Sequence, residues 1–348
     1  MHQPPEGLTL CRVEVKPNRP NICDTLSAAV SCRRYIASFA LLVLPVSAAS
    51  SQQPNSSPAI TKVDGENTLA VRVRVVAITA LAYDTWGRLV GGLNKDDFLL
   101  TEDGKPQTIH YFDRDSNLPI TIGLMVDTSG SQRDYADEER RASAAFLQAM
   151  LTKPDDRAFV ERFDTLALLL QPMTSDVAKL QSSLKLLTAP IPQNPKVGTV
   201  LFDAICATVK KVAGKEPGRR AIVILTDGED DGSTNTLASA IHEAQLADVA
   251  IYSVLYTPEA YGGSIHGYTA GVDVMRQISN ATGGRLFIVT TGTPIERIYA
   301  KIEADMRTQY RIGYTPPNSP PNQFHKIKLK ARDQLISVQA RTGYYTPE

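Results

Sequence analysis

The sequence predicts an α/β protein built on a doubly wound, mainly parallel sheet, flanked by N- and C-terminal β segments. Three observations predict it. Across residues 118–308 apolar runs alternate with helical stretches, the pattern of parallel strands joined by crossover helices that cover both sheet faces. Ahead of this span Val71, Val73 and Val75 alternate with Arg72 and Arg74, the period-2 mark of a half-buried strand. After Gln309 the helical signal stops, and β-rich stretches follow, broken by a proline-rich turn at 316–321.

The N-terminal β segment is placed at 67–117. Its first strand continues through 78–83 to a turn at Asp84-Thr85-Trp86-Gly87, and further strands are expected at 98–101 and 108–112, with a turn at Glu102-Asp103-Gly104-Lys105. In the α/β unit, 118–308, strands are expected at 120–126, 158–163, 221–225, 249–255 and 286–289. Helices are expected at 135–151, 176–187, 201–212, 237–247, 272–281 and 294–306. The C-terminal segment, 309–348, offers strands at 310–314, 325–331 and 335–341. Each β segment has only about three strands, too few to bury a stable core alone. The two are therefore expected to pack together as a small β-sandwich, with the α/β unit inserted between them.

The 37 basic and 37 acidic residues cancel, so no global field recruits nucleic acid or an anionic surface. Residues 1–48 read as an N-terminal extension and signal peptide: Arg33 and Arg34 precede an uncharged apolar run at 35–46, and Val46-Ser47-Ala48 offers small residues for cleavage. The mature chain is expected to start near Ala49, exported to the periplasm, the envelope or the exterior, with no transmembrane helix. The preceding thirty residues resemble neither a signal nor a domain, and Val30 is a candidate true start. Residues 49–66, rich in Ser, Gln, Pro and Asn at the start, read as a disordered linker. Cys11, Cys23 and Cys32 lie before or at the edge of the signal; Cys206 lies in an apolar, helix-like run and reads as a small buried hydrophobe.

Ligand sites of open α/β sheets lie beyond the carboxyl ends of strands. The first such junction reads Val126-Asp127-Thr128-Ser129-Gly130-Ser131, placing three oxygen side chains at alternate positions on a turn tightened by glycine. A second apolar run ends in Thr226-Asp227-Gly228-Glu229, and Thr199 offers another hydroxyl just before a helix. Hard oxygen donors suit Mg²⁺, Mn²⁺ or Ca²⁺, and the lack of a neighbouring His or Cys argues against zinc there.

This order of motifs, Asp-x-Ser-x-Ser, then Gly-Thr, then Thr-Asp-Gly, resembles the metal-ion-dependent adhesion site of the von Willebrand factor A (VWA) family. All five motif positions are filled, by Asp127, Ser129, Ser131, Thr199 and Asp227. Phe163-Asp164, the run Leu201-Phe202-Asp203-Ala204-Ile205, the Glu102-Asp103-Gly104 turn and Arg341-Thr342-Gly343-Tyr344-Tyr345 are similar to a bacterial VWA-related group common in Acidobacteria. The resemblance implies a Rossmann-like fold and one Mg²⁺, Mn²⁺ or Ca²⁺. Hydroxyls of Ser129, Ser131 and Thr199 would coordinate it, and Asp127 and Asp227 would act partly through water. A protein partner's Asp or Glu carboxylate would complete the coordination shell, without catalysis.

Other readings compete. Asp127 with its serines suits a helix N-cap, but that leaves Thr199 and Asp227 unexplained. Asp127-Thr128-Ser129-Gly130 is near the Asp-Thr-Gly of aspartic proteases, yet Gly does not follow Thr128 and no second copy occurs. No Gly-x-Ser-x-Gly elbow or phosphate-binding Gly-Lys-Ser/Thr loop is present, and His242, His266 and His325 have no recognisable pairing with a Ser or Cys. Glu229, Asp230 and Asp231 read as an acidic rim rather than a second cation site. Residues 256–270 read as a loop on the metal's side of the sheet. A structural envelope protein without metal-dependent binding stays open as the alternative function, and a hydrolase as the lesser one.

Overall fold

The computed structural model describes residues 62–63, 66–67, 74–114, 118–187, 198–211, 218–256 and 269–346. The expected signal peptide lies outside them. The described residues before 71 and those after it belong to separate units. In the first, β1 (Lys62–Val63) pairs antiparallel with β2 (Glu66–Asn67), in a stretch read from sequence as linker.

The second unit begins with β3 (Val76–Tyr83), β4 (Phe98–Glu102), β5 (Lys105–Gln107) and β6 (Tyr111–Asp113). Its α/β part runs β7 (Ile120–Asp127), α1 (Ala136–Met150), β8 (Arg157–Phe163), β9 (Ala167–Thr174), α2 (Val177–Leu184), α3 (Leu201–Lys211) and β10 (Arg219–Thr226). It continues with α4 (Leu237–Leu246), β11 (Ala250–Leu255), α5 (Thr269–Thr282), β12 (Leu286–Ile288) and α6 (Ile295–Arg307). The closing strands are β13 (Tyr310–Tyr314), β14 (Phe324–Ala331), β15 (Ser337–Ala340) and β16 (Gly343–Tyr345).

The expected fold class is what forms: a six-stranded sheet in the order β12-β11-β10-β7-β8-β9, parallel except for β9 at one edge. Alternate side chains of each central strand enter opposite cores. Ala221, Val223 and Leu225 of β10 pack with α1, α2 and α6, whereas Ile222 and Ile224 pack with α3, α4 and α5. Burial on both faces explains why these strands read as unbroken apolar runs. Gly123 is the exception within β7. It sits opposite Phe159, and a Cβ there would lie 2.2 Å from that ring. The glycine makes room for the phenyl group.

Asp156, in the loop before β8, fixes the start of β7 by accepting the Ile120 N–H at 2.9 Å. It also pairs with Arg307, the last residue of α6, at 2.8 Å. Burial works against the Asp156 carboxylate, but Arg307 and the backbone N–H groups of Ile120 and Lys153 outweigh it and hold its pKa below the usual value.

The flanking segments form two four-stranded antiparallel sheets, β15-β3-β13-β6 and β16-β14-β4-β5. Both draw strands from both ends of the α/β part: Ile78 of β3 faces Ile312 of β13, and Leu100 of β4 faces Leu329 of β14. Their shared core holds Val76, Ile78, Phe98, Leu100, Tyr310, Ile312, Ile327 and Leu329, with Phe98 edge-on to Tyr310 at 5.4 Å between centroids. Polar links tie this sandwich to the α/β part. Arg341 pairs with Asp248 at 3.0 Å, the Thr342 N–H donates to the Ala281 carbonyl at 3.2 Å, and the Gln339 amide donates to the Gly284 carbonyl at 2.8 Å.

Several strands depart from the sequence reading. β9, β5 and β16 are additional to it, and α2 ends at Leu184 rather than 187. No helix among the described residues is long and apolar enough to cross a membrane.

Candidate metal centre

β7 and β10 are parallel neighbours in register, Val126 beside Leu225. Two strands that end together bring the residues after them together, so Asp127 meets Thr226 and the loop after β7 meets Asp227. Both carboxylates are buried, whereas Ser129 is half-buried and Ser131 exposed. The acidic groups form the floor of the site and the hydroxyls its mouth.

Hydrogen bonds join them into one network. The Thr226 hydroxyl donates to Asp127 Oδ2 at 2.7 Å, and the Ser129 N–H donates to Asp127 Oδ1 at 2.9 Å. The hydroxyls of Ser129 and Ser131 are 3.1 Å apart, and Ser131 donates to Asp227 Oδ2 at 2.6 Å. Asp227 also accepts from the Gln132 side chain at 3.0 Å and the Glu229 N–H at 3.1 Å. Gly228 turns the chain after Asp227 with φ +84°, where a Cβ would meet the Gly271 carbonyl at 2.6 Å. Only glycine fits that approach.

Thr199 is set by its backbone. Its carbonyl accepts from the N–H groups of Asp231 at 3.1 Å and Gly232 at 3.0 Å. Its side chain makes none of the hydrogen bonds that join Asp127, Ser129, Ser131 and Asp227. The structure thus joins those four directly and holds Thr199 on the loop that packs against the residues following Asp227. Asp164 closes the circuit, accepting from the Thr128 hydroxyl at 3.0 Å through its side chain and from the Val200 N–H at 2.8 Å through its carbonyl. Four loops are linked edge to edge in this way, so the donors are held before any ligand arrives.

Gln132, Thr226 and Glu139 were not assigned roles from sequence. Gln132 and Thr226 adjoin motif residues, which was the available signal. Glu139 of α1 is buried, and burial first, then Asp127, raises its carboxyl pKa well above the usual range. Asp230, read as rim, accepts the Phe202 N–H at 3.0 Å at the start of α3, and its neighbour Asp231 packs on Gly198. Both brace loops. Tyr256 is fully buried and stacks on Tyr135 at 4.7 Å, so the expected loop starts after it; residues 257–268 lie outside the described residues. Cys206 is buried, and burial and then Glu243 push its thiol pKa up.

The donor set suits a hard divalent cation. Asp127 is pushed up to about 7, by burial first and then by Asp227. No lysine or arginine is among the largest influences on it. Two carboxylates held together beneath hydroxyls therefore call for a counter-charge, and an oxygen-ligated cation supplies one.

No protein-family model and no curated protein matches the chain. Solved structures with a similar arrangement include the conserved hypothetical protein BatB of Bacteroides thetaiotaomicron, 18% identical, covering 54% of this chain and 97% of that one, with a TM-score of 0.42. The von Willebrand factor type A protein of Catenulispora acidiphila is 12% identical over 80% of this chain and 74% of its own, with a TM-score of 0.43. The pilus adhesin SpaC of Lactobacillus rhamnosus GG is 10% identical over 74% of this chain and 49% of its own, also at 0.43.

Proposed function

We propose that the chain is an exported VWA-type binding module that holds one divalent cation and uses it to grip a carboxylate of a partner protein. The cation, Mg²⁺ or in its place Mn²⁺ or Ca²⁺, would be held by Ser129, Ser131 and Thr199 through hydroxyls, with Asp127 and Asp227 acting partly through water. When bound, it supplies a positive charge with a coordination position open to an incoming Asp or Glu. The module catalyses nothing; its output is cation-dependent affinity in the periplasm, at the envelope or outside the cell.

One observation carries this reading: the hydrogen-bonded run from Thr226 and Asp127 through Ser129 and Ser131 to Asp227, across the ends of two adjacent parallel strands. A helix cap needs only the first loop. Recruitment of Asp227 from a strand-end distant in sequence is what a shared cation requires and a cap does not. The exposed Ser131 leaves the mouth open to a macromolecule.

Calorimetry on the full chain tests it. One Mg²⁺ or Mn²⁺ per chain is expected, lost in an Asp127→Ala/Asp227→Ala variant whose circular dichroism is unchanged. Equal metal binding by the two proteins would overturn the assignment.

A further inference from the structure

Far from Asp127 in the sequence, the β-sandwich carries a second cluster. Glu102 ends β4, Asp103 follows in the turn to β5, and His325 lies on β14. His325 Nδ1 is 2.8 Å from Asp103 Oδ2 and 3.2 Å from Glu102 Oε1. One potential ligand atom from each residue lies within 4.8 Å of the other two. The geometry points to a transition-metal site of the zinc class, with His325, Glu102 and Asp103 as its three protein ligands.

The distances support it. A tetrahedral ion with bonds of about 2.0–2.1 Å to nitrogen and oxygen has ligand atoms about 3.3 Å apart. The two separations from Nδ1, 2.8 and 3.2 Å, both fall short of that edge, so an ion enters with relaxation of up to about half an ångström. Nδ1 faces an oxygen of each carboxylate, and a cation set between them can accept a lone pair from all three groups.

The burial supports it independently. Glu102 and His325 are 3% and 6% exposed. Glu102 Oε2 has no hydrogen-bond partner among the described residues, and either oxygen of this carboxylate can ligate an ion. A dehydrated carboxylate with an unsatisfied oxygen is costly, and direct metal ligation is one of the ways proteins satisfy it.

The surroundings hold the ligands still. Asp103 stands in the left-handed region at φ 49°, its N–H donates to the Lys326 carbonyl at 2.9 Å, and its Oδ1 accepts the Lys326 N–H at 2.8 Å. The Tyr344 hydroxyl donates to Glu102 Oε1 at 3.5 Å, the place of an outer partner that orients a metal-binding carboxylate. A groove lined by Lys105, Gln107, Asn318 and Gln323 opens onto the three ligands and admits the ion with a water as fourth ligand. The bound imidazole is neutral with its proton on Nε2: a doubly protonated ring gives up its Nδ1 proton to solvent, and a ring neutral at Nδ1–H moves that proton to Nε2. Imidazole with carboxylate selects Zn²⁺ or Co²⁺ over Mg²⁺, which separates this site chemically from the one at Asp127.

The test is a Co²⁺ titration of the EDTA-treated full chain, followed by Zn²⁺ competition. One equivalent of Co²⁺ should develop a visible ligand-field band that Zn²⁺ abolishes, and the Asp127→Ala/Asp227→Ala variant should retain it. His325→Gln should weaken binding by at least about tenfold. Asp103→Asn should do the same; Asp103 is half exposed and asparagine tolerates its backbone, so folding is spared. The absence of a one-equivalent band, a band lost in the Asp127/Asp227 variant, or equal Co²⁺ affinity in wild type and Asp103→Asn would each overturn the proposal.

Discussion

β7 and β14 are both eight residues long, yet every residue of β7 is buried while β14 alternates exposed and buried along its whole length. One is the middle of a parallel sheet with helices on both sides; the other packs a single face into a sandwich. The first has no tolerant position, because each side chain meets a core. The second has two faces with different rules: Ile327 and Leu329 obey packing, and Lys326, Lys328 and Lys330 obey solvent. The function proposed for β7 starts at its last buried residue, Asp127, and continues into the loop beyond it, whereas the site proposed on β14 lies within the strand, at His325.

The contrast can be broken by mutation. Gly123→Ala should have the largest effect, since the new methyl meets the fully buried Phe159 ring at 2.2 Å. A loss of about 3 kcal/mol is expected, read as a lower urea midpoint at unchanged slope; a loss under about 1 kcal/mol would mean that the core yields more easily than close packing allows.

Asp156→Asn should cost less, about 2 kcal/mol at neutral pH, because it replaces a charged acceptor shared by Arg307 and the first N–H of β7. Its sign against pH follows from a folded pKa held below the unfolded one. The carboxylate's contribution is full above the unfolded value of about 4 and is lost as pH falls through the depressed folded pKa. Denaturation of wild type and variant should therefore converge on acidification, and a gap that widened would contradict the assignment.

Lys328→Thr, on the solvent face of β14, should change stability by no more than about 0.5 kcal/mol. Thermal melts that moved by several degrees would show that this face is covered.

Legibility followed the same division. The apolar runs of β7, β10 and β11 and the oxygen-rich turns after β7 and β10 are local patterns, so the sheet and the candidate residues could be named from sequence. β9 was missed because it is an edge strand of intermediate and exposed residues interrupted by Pro172, and it shows no alternation to count. β16 is only three residues long. The Asp164 bridge was legible as a motif but not as a connector, since its partners Thr128 and Val200 come from other loops. His325 has no Ser or Cys partner recognisable in the sequence. Its neighbour Asp103 is 222 residues away, and no sequence period links them.

The sandwich's pairing of early strands with late ones also has a cost during synthesis. β3 and β4 leave the ribosome well before β13 and β14, their partners at Ile312 and Leu329. Until then Val76, Ile78, Phe98 and Leu100 have apolar faces with nothing to cover them, while the α/β part between can complete its own sheet. Until its late strands emerge, the nascent chain therefore carries a half-built sheet with an uncovered apolar face and unpaired strand edges.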